Sequence, residues 1–240
     1  LFSLWTLVFI LFFLNFEIVL IKCWHLTVGK RYVYSIQNKP TDDWFFQGGI
    51  SFNKKKNTEI RVTKSDSGAL LMENFLGAPK RWKNLKLNFN LSFDQRNKNK
   101  ILGIIFRAKD LDNYYMLQLA VDKTNSQFII RPHIRFRGNW DFSCVNLEED
   151  DYKKKVFLVE DKSSIEIIIK EDIASVYIDN NSVYDWYLPS YTQYTQKESR
   201  KQFEDKLVQE LTFKKSYGFI GFRAFSDENA IINGLQISSL

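Results

Sequence analysis

Residues 101–121 read ILGIIFRAKDLDNYYMLQLAV, and their pattern decides the fold. The run ILGIIFR at 101–107 is apolar almost throughout, as expected of a central strand covered on both faces. Asp110, Leu111, Asp112 and Asn113 have turn composition. The run YYMLQLAV at 114–121 resumes as a strand, so the two runs are expected to form an antiparallel hairpin. Just upstream, Leu85, Leu87, Phe89, Leu91 and Phe93 alternate with Lys86, Asn88, Asn90 and Ser92. Period two means one buried and one wet face of a β-strand.

The same grammar extends in both directions. Strands are expected around 44–52, 58–64, 68–74, 127–136, 156–159, 164–170, 173–179, 183–186, 217–225 and 230–237. They are separated by polar turns such as DQRNKNK at 94–100 and Asn180-Asn181. About a dozen short strands at this spacing specify a sandwich or a barrel. Gly103, Gly218 and Gly221 are expected where backbones approach or a bulge forms. Asn233-Gly234 marks a tight turn or bulge. Residues 193–209, QYTQKESRKQFEDKLVQ, break the pattern. Phe203, Leu207 and Leu211 recur at fourfold spacing, which predicts a short surface helix in an insertion at about 190–212.

The chain has 240 residues, and aromatic residues make up 16% of them. That length suits one large all-β domain, and Phe and Tyr favour strands. With 34 basic and 28 acidic residues the formal charge is +6. The basic residues lie scattered through turns as ordinary solvated surface, so nucleic acid is not the expected partner. Only Cys23 and Cys144 are present, too few for a disulfide framework, although one bridge between them is open. No nucleophile elbow, phosphate-binding loop, dinucleotide fingerprint, zinc-hydrolase or EF-hand motif occurs.

Residues 1–21, LFSLWTLVFILFFLNFEIVLI, stand apart. As a helix they would rise about 32 Å, close to one hydrocarbon core. Lys22 and Trp24 suit the headgroup region beyond it. Three readings stay open: a membrane-spanning anchor in contact with lipid, a signal peptide, or a helix buried within a complex. Membrane attachment, or secretion to the cell surface, follows from the first two. The expected organisation is a hydrophobic helix at 1–22, a connector at 23–43 and a β-domain at 44–240.

The hairpin of Gly103 to Arg107, the Asp/Asn turn and Tyr114-Tyr115 resembles the strand pair of concanavalin A-like and laminin-G-like domains. The paired strands at 164–179 and the closing stretch YGFIGFRAFSDENAIINGL at 217–235 are similar to theirs as well. The resemblance covers residues 44–240. It implies an all-β, two-sheet antiparallel jelly-roll sandwich. That fold carries lectins, adhesion modules and hydrolases alike, so it assigns no activity by itself.

A retaining glycosidase needs two carboxylates about 5 Å apart. No strand carries the spaced acidic residues that would supply them, so a non-catalytic module is expected. The resemblance implies a candidate calcium site at one rim, from Asp110 and Asp112 in one loop and Asp227 and Glu228 in another. Calcium takes about six to eight oxygens, so both loops would have to converge. For a glycan or protein ligand the candidates are Trp82, Arg135, Arg137, Trp140, Trp186 and Tyr187: rings pack on apolar sugar faces, and the arginines meet an acidic sugar or a partner carboxylate. Two alternatives to a recognition module remain, a structural accessory subunit of a membrane complex and a glycoside hydrolase-like enzyme.

Overall fold

The computed structural model describes residues 33–35, 44–47, 50–52, 59–63, 67–71, 82–93, 100–122, 127–136, 138–141, 156–157, 162–188, 191–195, 207–212, 217–224 and 229–240. The chain divides into residues 1–32 and 33–240, and every described strand belongs to the second unit. The apolar run at 1–21, both cysteines, Arg137, Asp227 and Glu228 lie outside the described residues. Among the described residues no helix is long and apolar enough to cross a membrane.

The strands in chain order begin with β1 (Val33–Ser35), β2 (Trp44–Gln47), β3 (Ile50–Phe52), β4 (Glu59–Thr63), β5 (Ser67–Leu71) and β6 (Leu85–Ser92). Next come β7 (Ile101–Asp110), β8 (Asn113–Asp122), β9 (Gln127–Phe136), β10 (Asn139–Asp141), β11 (Val156–Phe157) and β12 (Lys162–Lys170). The last six are β13 (Ile173–Ile178), β14 (Asn181–Tyr187), β15 (Tyr191–Thr195), β16 (Leu207–Thr212), β17 (Phe219–Ala224) and β18 (Asn229–Ser239). One sheet runs β14-β13-β12-β6-β18-β4-β3, with β1 also on β18. The other runs β10-β9-β8-β7-β17-β5-β2, with β11 also on β9. All pairings are antiparallel, and the two sheets form a sandwich. The first of these strands, β1, falls within the stretch read above as a connector.

Alternation sets which side of each strand is buried. In β6 the buried residues are Leu85, Leu87, Phe89 and Leu91; in β12 they are Ser163, Ile165, Ile167 and Ile169. Phe89 meets Phe222 of β17 edge-on, with ring centroids 5.9 Å apart, so Phe222 faces the core from the second sheet. Register then puts Ile104, paired with Phe222, and Leu117, paired with Ile104, on that same inner face. Three rings close one end of the core. Trp186 of β14 lies edge-on to Phe106 and Tyr115, at 6.0 and 5.7 Å, while those two stack at 5.8 Å.

Irregular positions behave as their residue types require. The hairpin between β13 and β14 turns at Asp179 and Asn180, both at positive φ (49° and 65°), as a two-residue primed turn needs. The turn thus sits one residue earlier than the Asn180-Asn181 pair suggests, since Asn181 pairs with Ile178, and Asp179 Oδ1 accepts the Ser164 N–H at 2.8 Å. Gly234 has φ 65° at the register shift between Asn233 and Gln236, so the expected feature is a bulge. At Gly218 a Cβ would fall 2.5 Å from both Ala108 O and the Arg107 carbonyl carbon, a close backbone approach as anticipated.

The helix expected over 193–209 is corrected at both ends. Gln193 to Thr195 belong to β15, and Leu207 to Gln209 belong to β16, which pairs antiparallel with β15. Tyr191, Thr192, Tyr194 and Thr195 explain this: aromatic and β-branched residues favour a paired extended chain over a helix. Leu207 and Leu211 share strand spacing as readily as helical spacing. Phe203 lies outside the described residues.

Candidate functional site

The inner face of the second sheet holds Ile104, Phe106, Tyr115 and Leu117, so the neighbouring residues of β7, β8, β9 and β17 look outward. Cross-strand register arranges these outward residues in rows. One row runs Arg223, Gly103, Gln118, Arg131. The next runs Gly221, Ile105, Met116, His133. A third pairs Tyr114 with Arg135, whose backbone in turn pairs with Trp140.

One end of this outer face is covered and the other is half open. Ile105, Ala108, Tyr114 and Met116 are buried together there, with Leu111 and Phe219 packed against them. Arg223 is buried, and its Nη1 donates to the Tyr114 hydroxyl at 2.9 Å. Burial pushes the Tyr114 phenol above its ordinary range, while Arg223 and Arg135 oppose that. Gln118, Arg131, His133 and Arg135 are only half-buried. Gly103 keeps the first row low: a Cβ there would lie 2.6 Å from Met116 Sδ and 3.2 Å from Arg223 Cβ.

His133 sits between Arg131 and Arg135 on the outward side of β9. Its pKa is pushed down to about 4, first by burial and then by the Arg131 charge. The folded chain therefore holds a neutral imidazole across most of the acidic range, where an unfolded histidine would take up a proton. The unfolded state binds more protons between pH about 6.5 and about 4, so this contribution is complete above pH 6.5 and is lost as pH falls through that window. The gap corresponds to about 3 kcal/mol at about 1.4 kcal/mol per pH unit. We expect the melting temperature to fall steadily from pH 6.5 to pH 4, and His133→Gln to flatten that slope, as read by calorimetry across the range.

The sequence-predicted residues divide sharply. Trp82 is fully buried and Trp186 is 6% exposed. Both are core residues, since a ring with no accessible face cannot stack on a ligand. Tyr187 is 74% exposed, next to Trp186 on β14 of the other sheet. Arg135 is on the outer face just described, with Trp140 as its backbone neighbour on β10. The sequence reading missed Tyr114, Gln118, Arg131, His133 and Arg223. The available signal was a polar side chain recurring inside an otherwise apolar strand.

In the described half of the candidate calcium site both carboxylates already have partners. Asp110 Oδ1 accepts the Asp112 N–H at 2.9 Å and the Asn113 amide at 2.7 Å, forming a local Asx turn. Asp112 Oδ1 receives Arg135 Nη2 at 3.4 Å, so a guanidinium stands where a second cation would have to bind. Among the described residues no group of three or more His, Cys, Asp or Glu is placed to hold a metal.

No family model and no curated protein sequence matches the chain. Its architecture has clear counterparts among solved structures. A carbohydrate binding module, CBM66, from Bacillus subtilis superposes with a TM-score of 0.52 at 13% identity, over 82% of this chain and 96% of that one. The exoplasmic/lumenal domain of VIP36 in its Ca2+/Man-bound form gives 0.51 at 10% identity, over 88% and 89%. The same domain in its Ca2+/Man3GlcNAc-bound form gives 0.50 at 10%, over 87% and 90%. Identity this low makes the likeness one of fold. It agrees with a concanavalin A-like sandwich.

Proposed function

We propose that this chain is a non-catalytic glycan-recognition module, held at or sent across a membrane by residues 1–21. Its binding face is the outer face of the sheet containing β9, β8, β7 and β17. The carrying observation is the set of hydrogen-bonding side chains left half-buried on that face, Gln118, Arg131, His133 and Arg135. Saccharides are recognised by such groups at fixed spacing, and strands of a rigid sheet supply fixed spacing. The fold is also that of a carbohydrate binding module and of a mannose-bound lumenal domain.

The carboxylates support recognition over hydrolysis. Glu166 pairs with Lys86, Glu59 with Arg61 at 2.7 Å, and Asp112 with Arg135 at 3.4 Å. A carboxylate held in an ion pair is a poor general acid.

The test is a glycan array probed with the full chain, followed by titration of the saccharides retained. Gln118→Ala is expected to weaken binding by about threefold to tenfold, the value of one hydrogen bond. Tyr187→Ala, on the other sheet, is expected to leave it unchanged. Retention of no saccharide would refute the proposal, and loss of binding in Tyr187→Ala alone would move the site to the opposite sheet.

A further inference from the structure

We infer that the saccharide taken by this face is anionic, carrying carboxylate or sulfate groups. The inference rests on the glycan-binding reading above and goes beyond it by naming the ligand's charge. Two half-buried guanidinium groups share the face, Arg131 and Arg135 on β9, while Arg223 of β17 is buried and donates to the Tyr114 hydroxyl. Arg131 and Arg135 are four residues apart on one strand, a separation of about 13 Å at about 3.3 Å per residue. The pair's spacing along the strand suits a short oligosaccharide rather than a single ring.

No outward position in residues 101–105, 114–120, 127–135 or 221–223 holds a carboxylate. Asp112, at the turn between β7 and β8, reaches Arg135 from one end. Like charges gathered on one half-covered face repel one another, and an anionic ligand reverses the sign of that interaction. The guanidinium fork also matches two oxygens of a carboxylate or sulfate, which a neutral hydroxyl cannot offer. His133 fits the same picture, because a neutral ring between Arg131 and Arg135 donates or accepts a hydrogen bond without adding a further charge.

The experiment titrates the full chain with three probes at physiological salt: polygalacturonate fragments for carboxylate, heparin fragments for sulfate, and mannan as the neutral comparison. At least one acidic probe is expected to bind about tenfold or more tighter than mannan. Which acidic probe wins separates carboxylate from sulfate. Arg131→Gln and Arg135→Gln are each expected to reduce that binding by about tenfold or more. The controls are Lys162→Gln and Lys170→Gln, exposed positions on β12 in the other sheet that remove the same formal charge. They are expected to stay within about twofold, the range of exposed charges. Arg131→Lys accompanies the set, keeping the charge while losing the fork, and melting curves confirm that each variant is folded.

Tighter binding of mannan, unaffected by either arginine change, would overturn the anionic ligand and leave the glycan reading standing. Equal loss in the lysine controls would also overturn it, since attraction to the net charge of +6 would then suffice. Failure of all three probes, together with an empty array, would remove both readings.

Discussion

Arg107→Met is expected to lower the free energy of unfolding by about 1–3 kcal/mol, because it leaves carbonyl acceptors across the sandwich without their donor. The side chain is 2% exposed, among the largest fully buried groups described. It belongs to β7, yet its Nη2 donates to Glu171 O in the turn between β12 and β13 and lies 3.5 Å from Lys83 O, just before β6. Both acceptors lie in segments that flank strands of the opposite sheet. A regular strand would carry a residue next to Phe106 away from the core. Here the register between β7 and β8 shifts between Phe106 and Asp110, and Arg107 takes φ 49°. The bulge turns the side chain inward. Burial pulls the guanidinium below its ordinary range, while Tyr115 and Asp172 favour the charge.

Two partners compete for the credit. Asp172 Oδ1 stands 3.6 Å from Arg107 Nη1, but its side chain is 85% exposed. An ion pair so open to water contributes little, about 0–1 kcal/mol. The Glu171 carbonyl is the partner that matters, and Glu171 is itself held by its N–H on Asn84 Oδ1 at 2.9 Å. Asp172→Asn should therefore shift a urea unfolding midpoint only slightly, where Arg107→Met shifts it strongly. Comparable shifts in both variants would assign the strength to the ion pair instead.

This bulge shows where the sequence stops being readable. Residues 85–93 declare a strand and its wet face, because alternation is local and each side chain reports its own environment. The hairpin at 101–121 is equally plain as a pair of strands. Its faces are not, since a continuous apolar run such as ILGIIF hides which residues look outward. Arg107 and Arg223 read as ordinary surface arginines, yet both are buried. The charged face emerges only when β9, β8, β7 and β17 are set in register, in rows that join residues as far apart in sequence as Arg131 and Arg223. Arg131, His133 and Arg135 do show period two among Ile130, Pro132 and Ile134. That pattern is a local sign of the face in the sequence. The helix expected over 193–209 gives way to strand at 193–195 and 207–209 for the complementary reason: apolar residues at fourfold spacing fit an even period as well as a helical one.

Trp186→Ala is expected to cost about 3–5 kcal/mol, the range for deleting a large ring from a core, without any direct effect on a ligand. Trp186 comes from the first sheet and sits edge-on to Phe106 and Tyr115, which come from the second. Edge-to-face pairs add about 0.5–1.5 kcal/mol beyond burial, and here two such pairs share one ring. Trp186→Phe keeps a ring in the gap and should cost less, about 1–2 kcal/mol, with a smaller void to collapse. The pair of variants separates core packing from recognition. If Trp186 is core, a saccharide retained by the full chain keeps its affinity in the folded Phe variant, while thermal unfolding moves down. If the ring touches the ligand, affinity falls in the Phe variant while stability stays near that of the parent. Its 6% exposure predicts the first outcome. The neighbouring Tyr187, 74% exposed, provides the contrast: Tyr187→Ala should leave stability within about 0.5 kcal/mol, as exposed positions do.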